Sequence, residues 1–367
     1  MSSLINIVPL QEWLDIKTAP FIISGPCSAE SEEQLISTAL EVSKIPNVKI
    51  FRAGIWKPRT RPGLFEGVGE EGLVWLKKVK PLTGLLTAVE IANPGHIELA
   101  LKHGVDVLWI GARTVVNPFS LQELATTLEG VDIPVMVKNP VNPDLNLWIG
   151  AIERIYHSGI RRLAAIHRGF YFFEKSLYRN APMWEIPIEL KRLIPNLPVI
   201  CDPSHICGNR TMLKDVSQKA LDLEMNGLMI ESHIHPEEAL TDRNQQVTPA
   251  FLSEMIRSLI IRRREGNIDF ESKLEELRTE IDKIDAELIN ILSRRMELVD
   301  EIGNYKSANN ITILQLKRWR NIVEDRLKSG VDSGLNKEFL QRLLEIVHIE
   351  SIQRQTEIYS KRNGQKE

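Results

Sequence analysis

The chain has 367 residues, of which 43% are hydrophobic and 26% charged, and its formal net charge is -3 at pH 7. This length predicts two domains, or one barrel of roughly 250 residues with a smaller domain attached. The balanced composition is typical of globular proteins and excludes a disordered or strongly nucleic-acid-binding chain.

The first part of the chain carries a strand and helix alternation. Up to about residue 265, short apolar runs alternate with helix-like stretches and are bounded by Gly, Pro or Asn. Eight of these runs are predicted strands: Phe21–Ser24, Val48–Arg52, Gly84–Val89, Val105–Ile110, Val135–Lys138, Arg162–Ile166, Val199–Cys201 and Leu228–Ile230. The pattern predicts an α/β fold, a (β/α)8 TIM barrel.

The strand pattern stops at residues 262–267, and a helical pattern follows. From Glu271 to about Lys306 apolar residues recur every three or four positions, which predicts one long amphipathic helix. Two further helices are predicted, at about 314–328 and 337–360. We therefore expect a barrel domain over residues 1–265, a linker over 266–272 and an all-α three-helix domain over 273–362.

Basic residues follow several predicted strands of the barrel. Functional groups of such barrels gather where strands end and βα loops begin. The basic residues at these places are Arg52, Lys57, Arg59, Arg113, Lys138 and Arg168. Any one of them could be a solvated surface charge, but together on one rim they indicate a ligand with several negative charges.

The same rim carries candidate metal ligands. They are Cys27 after strand one, His205 after strand seven, Glu231 at the end of strand eight and Asp242 in the loop beyond it. A thiolate, an imidazole and two carboxylates suit a divalent transition ion better than calcium or magnesium. A single cysteine is more often a small buried hydrophobic residue. His233 and His235 are alternative ligands that the spacing leaves open.

Six motifs in the barrel carry a family resemblance. They are Gly25-Pro26-Cys27-Ser28, Lys57-Pro58-Arg59-Thr60, Gly111-Ala112-Arg113, His167-Arg168-Gly169, Asp202-Pro203-Ser204-His205 and Glu231-Ser232-His233. In their order and at these strand ends they resemble the type I 3-deoxy-D-arabino-heptulosonate 7-phosphate (DAHP) synthases, of the compact bacterial beta subgroup, over about residues 15–260. The alternative is the related synthase that uses arabinose 5-phosphate, against which the Lys-Pro-Arg-Thr motif counts.

The resemblance implies the condensation of phosphoenolpyruvate with erythrose 4-phosphate. It assigns a divalent metal, manganese first, with iron, zinc or cobalt as alternatives, to Cys27, His205, Glu231 and Asp242. It also implies that phosphoenolpyruvate is held by Arg113, Lys138 and Arg168 with support from Arg52. Lys57 would then be a catalytic residue between the two substrates, and Arg59 and Thr60 would bind erythrose 4-phosphate.

The long predicted helix carries three cations of interest. Arg295 and Lys306 are eleven residues apart, so they share one face about 16 Å apart and could hold one small dianion. Arg278 lies about 25 Å before Arg295, so any part it plays is in a partner's site. Periodicity alone favours a dimerising coiled coil with a solvated basic face.

Residues 271–360 resemble the all-helical chorismate mutases. The matching positions are Arg278, Arg295, Gly303, Lys306, Arg318, Ser351 and Gln355. The resemblance implies that the three arginines bind the two carboxylates of chorismate, with Arg278 supplied by the other subunit. Lys306 and Gln355 would donate to the ether oxygen as catalytic residues, and Ser351 would support a carboxylate. Gln315 and Trp319 depart from the pattern, where acidic residues often contact the substrate hydroxyl.

These interpretations predict a bifunctional enzyme that takes phosphoenolpyruvate, erythrose 4-phosphate and chorismate. We expect a homodimer or higher oligomer through the helical domain, which would also give feedback control. The alternative is an active synthase with a catalytically silent helical domain for dimerisation or regulation. Nucleic-acid binding by the basic run 262–264 is disfavoured by the interspersed glutamates. Three scattered cysteines, no signal peptide and no membrane span predict a cytoplasmic protein.

Overall fold

The structure is a computed structural model that describes residues 6–14, 20–57, 63–173, 176–263, 266 and 268–363. The chain divides into two units, Met1–Arg262 and Arg263–Glu367. The first is the barrel and the second is helical. Within the described residues, no helix combines the length and the apolar character that crossing a membrane requires.

Eight parallel strands form a closed barrel in sequence order, and the last strand pairs with the first. They are β1 Phe21–Gly25, β2 Val48–Arg52, β3 Leu86–Ile91, β4 Val107–Ile110, β5 Val135–Lys138, β6 Leu163–His167, β7 Val199–Cys201 and β8 Gly227–Glu231. The predicted barrel is confirmed. The third strand begins two residues later than predicted, because Gly84 adopts a φ of 75° and ends a helix instead.

Twelve α-helices and one short 3-10 helix, Pro236–Glu238, are described in the barrel unit. The α-helices are α1 Leu10–Trp13, α2 Glu32–Val42, α3 Glu70–Leu76, α4 Val79–Thr83, α5 Pro94–Lys102, α6 Ala112–Val115, α7 Pro118–Thr127, α8 Leu145–His157, α9 Glu185–Leu193, α10 Pro203–Cys207, α11 Leu213–Asp222 and α12 Pro249–Arg257. Side-chain caps fix several starts. Asn93, Asn117 and Asp144, for example, each accept a hydrogen bond from a backbone amide of the helix that follows.

Apolar side chains fill the barrel on both faces of the sheet. Inside, buried residues such as Ile23, Trp109 and Met136 form one cluster. Outside, a second cluster packs the strands against the helices, and the Trp148 indole donates to the Val137 carbonyl. Because the interior is a packed core, a ligand site is left to the loops at the ends of the strands.

The helical unit consists of α13 Ile268–Ala308, α14 Leu316–Asp332 and α15 Lys337–Asn363. Three helices were predicted, and α13 begins inside the segment predicted as a linker. Helix α15 packs along α13, and α14 packs against α15. Gly303 allows the close approach, because a Cβ atom there would lie 2.9 Å from Ile358 Cδ1 and 3.1 Å from Gln355 Cγ.

Candidate active sites

Three of the four predicted metal ligands form one group at the C-terminal ends of the strands. The donor atoms of Cys27, Glu231 and Asp242 all lie within 4.8 Å of one another. His205 Nε2 lies 3.8 Å from Glu231 Oε1, so the fourth predicted ligand stands beside the group. The alternative ligand His233 instead has its Nε2 3.7 Å from a carboxylate oxygen of Glu30.

The surroundings of His205 suit a metal ligand. Its Nδ1 lies 2.8 Å from Asp202 Oδ2, and the other carboxylate oxygen of Asp202 accepts the His205 backbone amide at the start of α10. This contact turns Nε2 toward Glu231. Burial lowers the pKa of His205, which favours the neutral imidazole that binds metals.

Cys27 is a buried thiol beside two carboxylates and an ammonium group. Burial raises the pKa of its thiol to about 12, and the Glu231 carboxylate adds to this shift, whereas Lys57 opposes it. Lys57 Nζ lies 3.1 Å from Cys27 Sγ. A bound divalent cation would favour the thiolate, since a metal-coordinating thiol is deprotonated. The donor set therefore fits a divalent transition ion.

A cavity of about 400 Å³ opens beside these ligands, and it is lined by cations. The cations that line it are Lys57, Arg113, Lys138, Arg168 and Arg179. Arg168 donates to Asn180 Oδ1 at 2.9 Å, and Lys138 Nζ lies 3.1 Å from Asp202 Oδ2. Fixed cations of this kind are suited to anions with several charges.

Arg52 lies deeper than the other predicted cations. It is buried, donates to the Cys27 carbonyl at 3.1 Å and lies 3.1 Å from Glu231 Oε1. It thus braces two metal-site residues rather than lining the cavity. Arg59 and Thr60, predicted to bind the second substrate, lie outside the described residues.

Glu90 also lines the cavity and was absent from the predicted site. It accepts a 2.9 Å hydrogen bond from the Trp109 indole. Burial raises its pKa, but Lys138, Lys57, the Trp109 hydrogen bond and Arg52 together outweigh burial, so its pKa lies below the usual range. Since Glu90 directly follows the predicted third strand, the rule that functional groups follow strands could have identified it.

Arg179 was missed for a different reason. Its guanidinium lies 3.0 Å from Asp242 Oδ1 and donates to Gln245 Oε1 at 2.7 Å. With burial opposing the shift, Arg179 and His205 hold the pKa of Asp242 at about 2. Arg179 lies in a loop, far from the end of any predicted strand, so no sequence signal pointed to it.

The helical unit has its own cavity, of about 340 Å³. Four predicted residues line it: Arg295, Lys306, Ser351 and Gln355. Arg295 donates to Ser351 Oγ at 2.7 Å, and Lys306 donates to the Ile313 carbonyl at 2.6 Å. Gln355 Oε1 is buried without a hydrogen-bond partner among the described residues, which leaves it for a ligand.

Two predicted arginines are not placed in this cavity. Arg278 lies on the same unbroken helix as Arg295, about 25 Å away, and its side chain is exposed. Arg318 lies on α14, but its side chain lies outside the described part of the chain. Trp319 and Gln315, the departures from the mutase pattern, do line the cavity.

A closed barrel with a cation-lined cavity beside metal-type ligands defines a (β/α)8 enzyme for multiply charged anions. Residues 16–260 match the DAHP synthetase I family, and residues 277–356 match chorismate mutase type II. The chain belongs to the DAHP synthetase I family and carries a chorismate mutase domain after its barrel. Both predicted resemblances are confirmed, while the beta subgroup stays a prediction.

Two similar proteins agree with this assignment for the barrel, and a third is an aldolase of a different name. A phospho-2-dehydro-3-deoxyheptonate aldolase of Thermotoga maritima is 31% identical over 238 residues, 65% of this chain and 68% of the relative. The crystal structure of a DAHP synthase from the same organism has a TM-score of 0.59 at 30% identity, covering 65% of this chain and 67% of that one. A 2-dehydro-3-deoxyphosphooctonate aldolase of Geobacter metallireducens is 28% identical over 256 residues, 65% of this chain and 90% of the relative.

Proposed function

We propose that the barrel condenses phosphoenolpyruvate with erythrose 4-phosphate and that the helical domain converts chorismate to prephenate. The functional domains would be residues 1–265 and 273–362, joined by 266–272. The proposal for the barrel rests on the gathering of Cys27, Glu231 and Asp242 within 4.8 Å beside the cation-lined cavity. A metal site and an anion site side by side suit a reaction between an aldehyde and a phosphorylated enol.

Cys27, His205, Glu231 and Asp242 would hold a divalent ion, with manganese preferred and iron, zinc or cobalt as alternatives. The ion would supply a Lewis acid for the aldehyde oxygen of erythrose 4-phosphate. Asp202 supports this role because it orients His205 from behind.

The chain's cations would position both substrates. Arg113, Lys138 and Arg168 bind the phosphate and carboxylate of phosphoenolpyruvate, while Arg59 and Thr60 bind the phosphate of erythrose 4-phosphate. The enol carbon forms the new bond to the aldehyde carbon, water adds to the neighbouring carbon, and inorganic phosphate leaves. Lys57, beside Cys27, stands where it can deliver a proton to the developing hydroxyl. Holding two anions in contact requires fixed cations, which the cavity provides.

The helical domain would catalyse a unimolecular rearrangement. Arg295, Arg318 and the partner's Arg278 bind the two carboxylates and hold chorismate in a compact conformation. Lys306 and Gln355 donate to the ether oxygen as the carbon–oxygen bond breaks. The Arg295 to Ser351 hydrogen bond and the buried Gln355 Oε1, which has no partner among the described residues, favour an active mutase over a silent domain.

A homodimer is proposed from the first half of α13. Its apolar residues Leu277, Ile281, Ile284, Leu288 and Ile291 have exposures between 49% and 65%. They recur at three- and four-residue spacing, so they form a stripe that a second copy can cover. Pairing of this kind would bring the partner's Arg278 to the cavity that lacks it.

We also propose that the mutase site reports pathway status to the barrel. Prephenate bound at Arg295 should slow condensation in the full-length protein. Arg295→Ala should remove this inhibition and leave uninhibited condensation unchanged. Equal inhibition of the two proteins would contradict the proposal.

One assay tests both proposed activities. Purified protein with manganese is given phosphoenolpyruvate and either erythrose 4-phosphate or arabinose 5-phosphate, and phosphate release is followed; chorismate consumption is followed separately. We expect phosphate release with erythrose 4-phosphate, and we expect chorismate to be consumed. Preferential use of arabinose 5-phosphate would contradict the proposed barrel function, and stable chorismate would contradict the proposed mutase.

A further inference from the structure

An imidazole forms part of the mutase cavity wall. His348 on α15 stacks on Trp319 of α14, with ring centroids 3.6 Å apart and planes inclined by 7°. Both side chains line the cavity. His348 lies one helical turn before Ser351, the residue that accepts the Arg295 hydrogen bond. The ring is thus held flat, next to the proposed carboxylate-binding pair.

The charged side chains that line the cavity beside His348 are all cations. Helix α13 contributes Arg295 and Lys306 to the cavity, α14 contributes Arg326, and α15 contributes the neutral Ser351 and Gln355. Among the described residues that line this cavity there is no carboxylate. Glu345, one turn before His348 on α15, is exposed and accepts a hydrogen bond from Gln341. A bound dianion would therefore be the first negative charge inside the cavity that His348 lines.

We propose that His348 is a substrate-binding residue that takes up a proton when a dicarboxylate enters this cavity. The imidazolium then pairs with a carboxylate of the ligand, while the stack on Trp319 holds the ring in place. This inference rests on the proposed use of the cavity as the chorismate site. It gives the site an additional cation that exists only when the ligand is present.

The direction of the effect follows from charge. In the free protein, burial and then the Arg295 charge lower the pKa of His348, so the ring is neutral near neutral pH. A bound dianion offsets that repulsion and raises the pKa. Binding should therefore strengthen as the pH falls through the raised pKa of the bound state toward the pKa of the free protein, by at most about tenfold per pH unit for one proton.

Calorimetry on the full-length protein tests the inference with prephenate as the probe. Titrations are run at the same near-neutral pH in MOPS and in Tris, two buffers with different heats of ionisation. The difference between the two observed binding enthalpies gives the number of protons taken up. We expect proton uptake by the wild type and by the control variant His157→Gln, because His157 is exposed on the barrel. His348→Gln should bind prephenate more weakly and without that uptake.

The other possible results of these titrations also decide whether His348 takes up a proton. Binding by the wild type without proton uptake, or equal uptake by His348→Gln, overturns the role of His348 but leaves the proposed site intact. If the wild type does not bind prephenate, both the role of His348 and the proposed chorismate site are overturned. If His348→Gln fails to fold, the His348 ring signal is titrated by NMR and identified by the shift it undergoes in Trp319→Leu, which removes the stacked indole. An unchanged pKa with prephenate bound would overturn the inference.

Discussion

Asp202 Oδ2 lies 2.8 Å from His205 Nδ1, and Asp202 is fully buried. The carboxylate thus selects which nitrogen of the imidazole faces the proposed metal site. Mutation of a group that orients a metal ligand in this way commonly lowers metal affinity by about 10- to 100-fold. Asp202 also lies 3.1 Å from Lys138, so activity alone would not separate its two roles.

Asp202→Asn should therefore weaken manganese binding by about 10- to 100-fold, because an amide orients His205 less firmly than a carboxylate. The measurement is a calorimetric titration of manganese into protein from which a chelator has removed all metal. Asp132→Asn is the matched control, because Asp132 is exposed and pairs only with Arg162 among the described residues. Unchanged manganese affinity in Asp202→Asn would show that this contact does not support a metal ligand.

The fold was predictable because its signals are local. Each buried strand is a short apolar run, and the long helix keeps one apolar spacing from Glu271 to Lys306. Residues that end strands, such as Lys138 and Glu231, were therefore placed on the correct rim. Glu90 was overlooked at the end of the third strand although the same rule applies to it.

Other parts of the sites depend on contacts that no local pattern encodes. Arg179 reaches Asp242 across 63 positions of sequence, and His348 meets Trp319 only because α14 packs against α15. Such pairs are set by the packing of whole elements.

Gly111→Ala should impair condensation by displacing Glu90. A Cβ atom at Gly111 would lie 2.3 Å from Glu90 Oε1, so the carboxylate must move away from Lys57 and Lys138. Misplacement of about 1 Å can cost on the order of 100-fold in rate. The measurement is kcat for condensation, with the thermal unfolding of the barrel in the same sample as the test of folding.

Gly150→Ala is the matched control for that substitution. A Cβ atom at Gly150 meets nothing within 4 Å, and the residue lies within α8. Its condensation rate should match the wild type, and its stability should rise by about 0.5–1 kcal/mol from better helix propensity. If Gly111→Ala also kept wild-type kcat, Glu90 would have no part in positioning the cavity cations.

Mixing two inactive mutases should restore activity if the site is shared between chains. Arg278→Ala and Arg295→Ala should each be nearly inactive as homodimers, because every site loses a carboxylate partner. After the two are unfolded and refolded together, about half of the dimers are mixed, and each mixed dimer has one intact site. Chorismate consumption should return to about a quarter of the wild-type rate. No recovery, although mixed dimers form, would exclude a role for Arg278 in the partner's site.

The most direct test of the account compares both reactions of one sample before and after metal removal. The group of Cys27, Glu231 and Asp242 lies in the barrel, whereas no carboxylate or thiol is among the described residues that line the helical cavity. Treatment with a chelator should abolish condensation, leave chorismate consumption unchanged, and be reversed by added manganese. Cys27→Ala should behave like the chelated protein, and Cys207→Ala, whose buried thiol lies outside the group, should retain condensation. Continued DAHP formation by the chelated protein would contradict the assignment of two separate chemistries to the two domains.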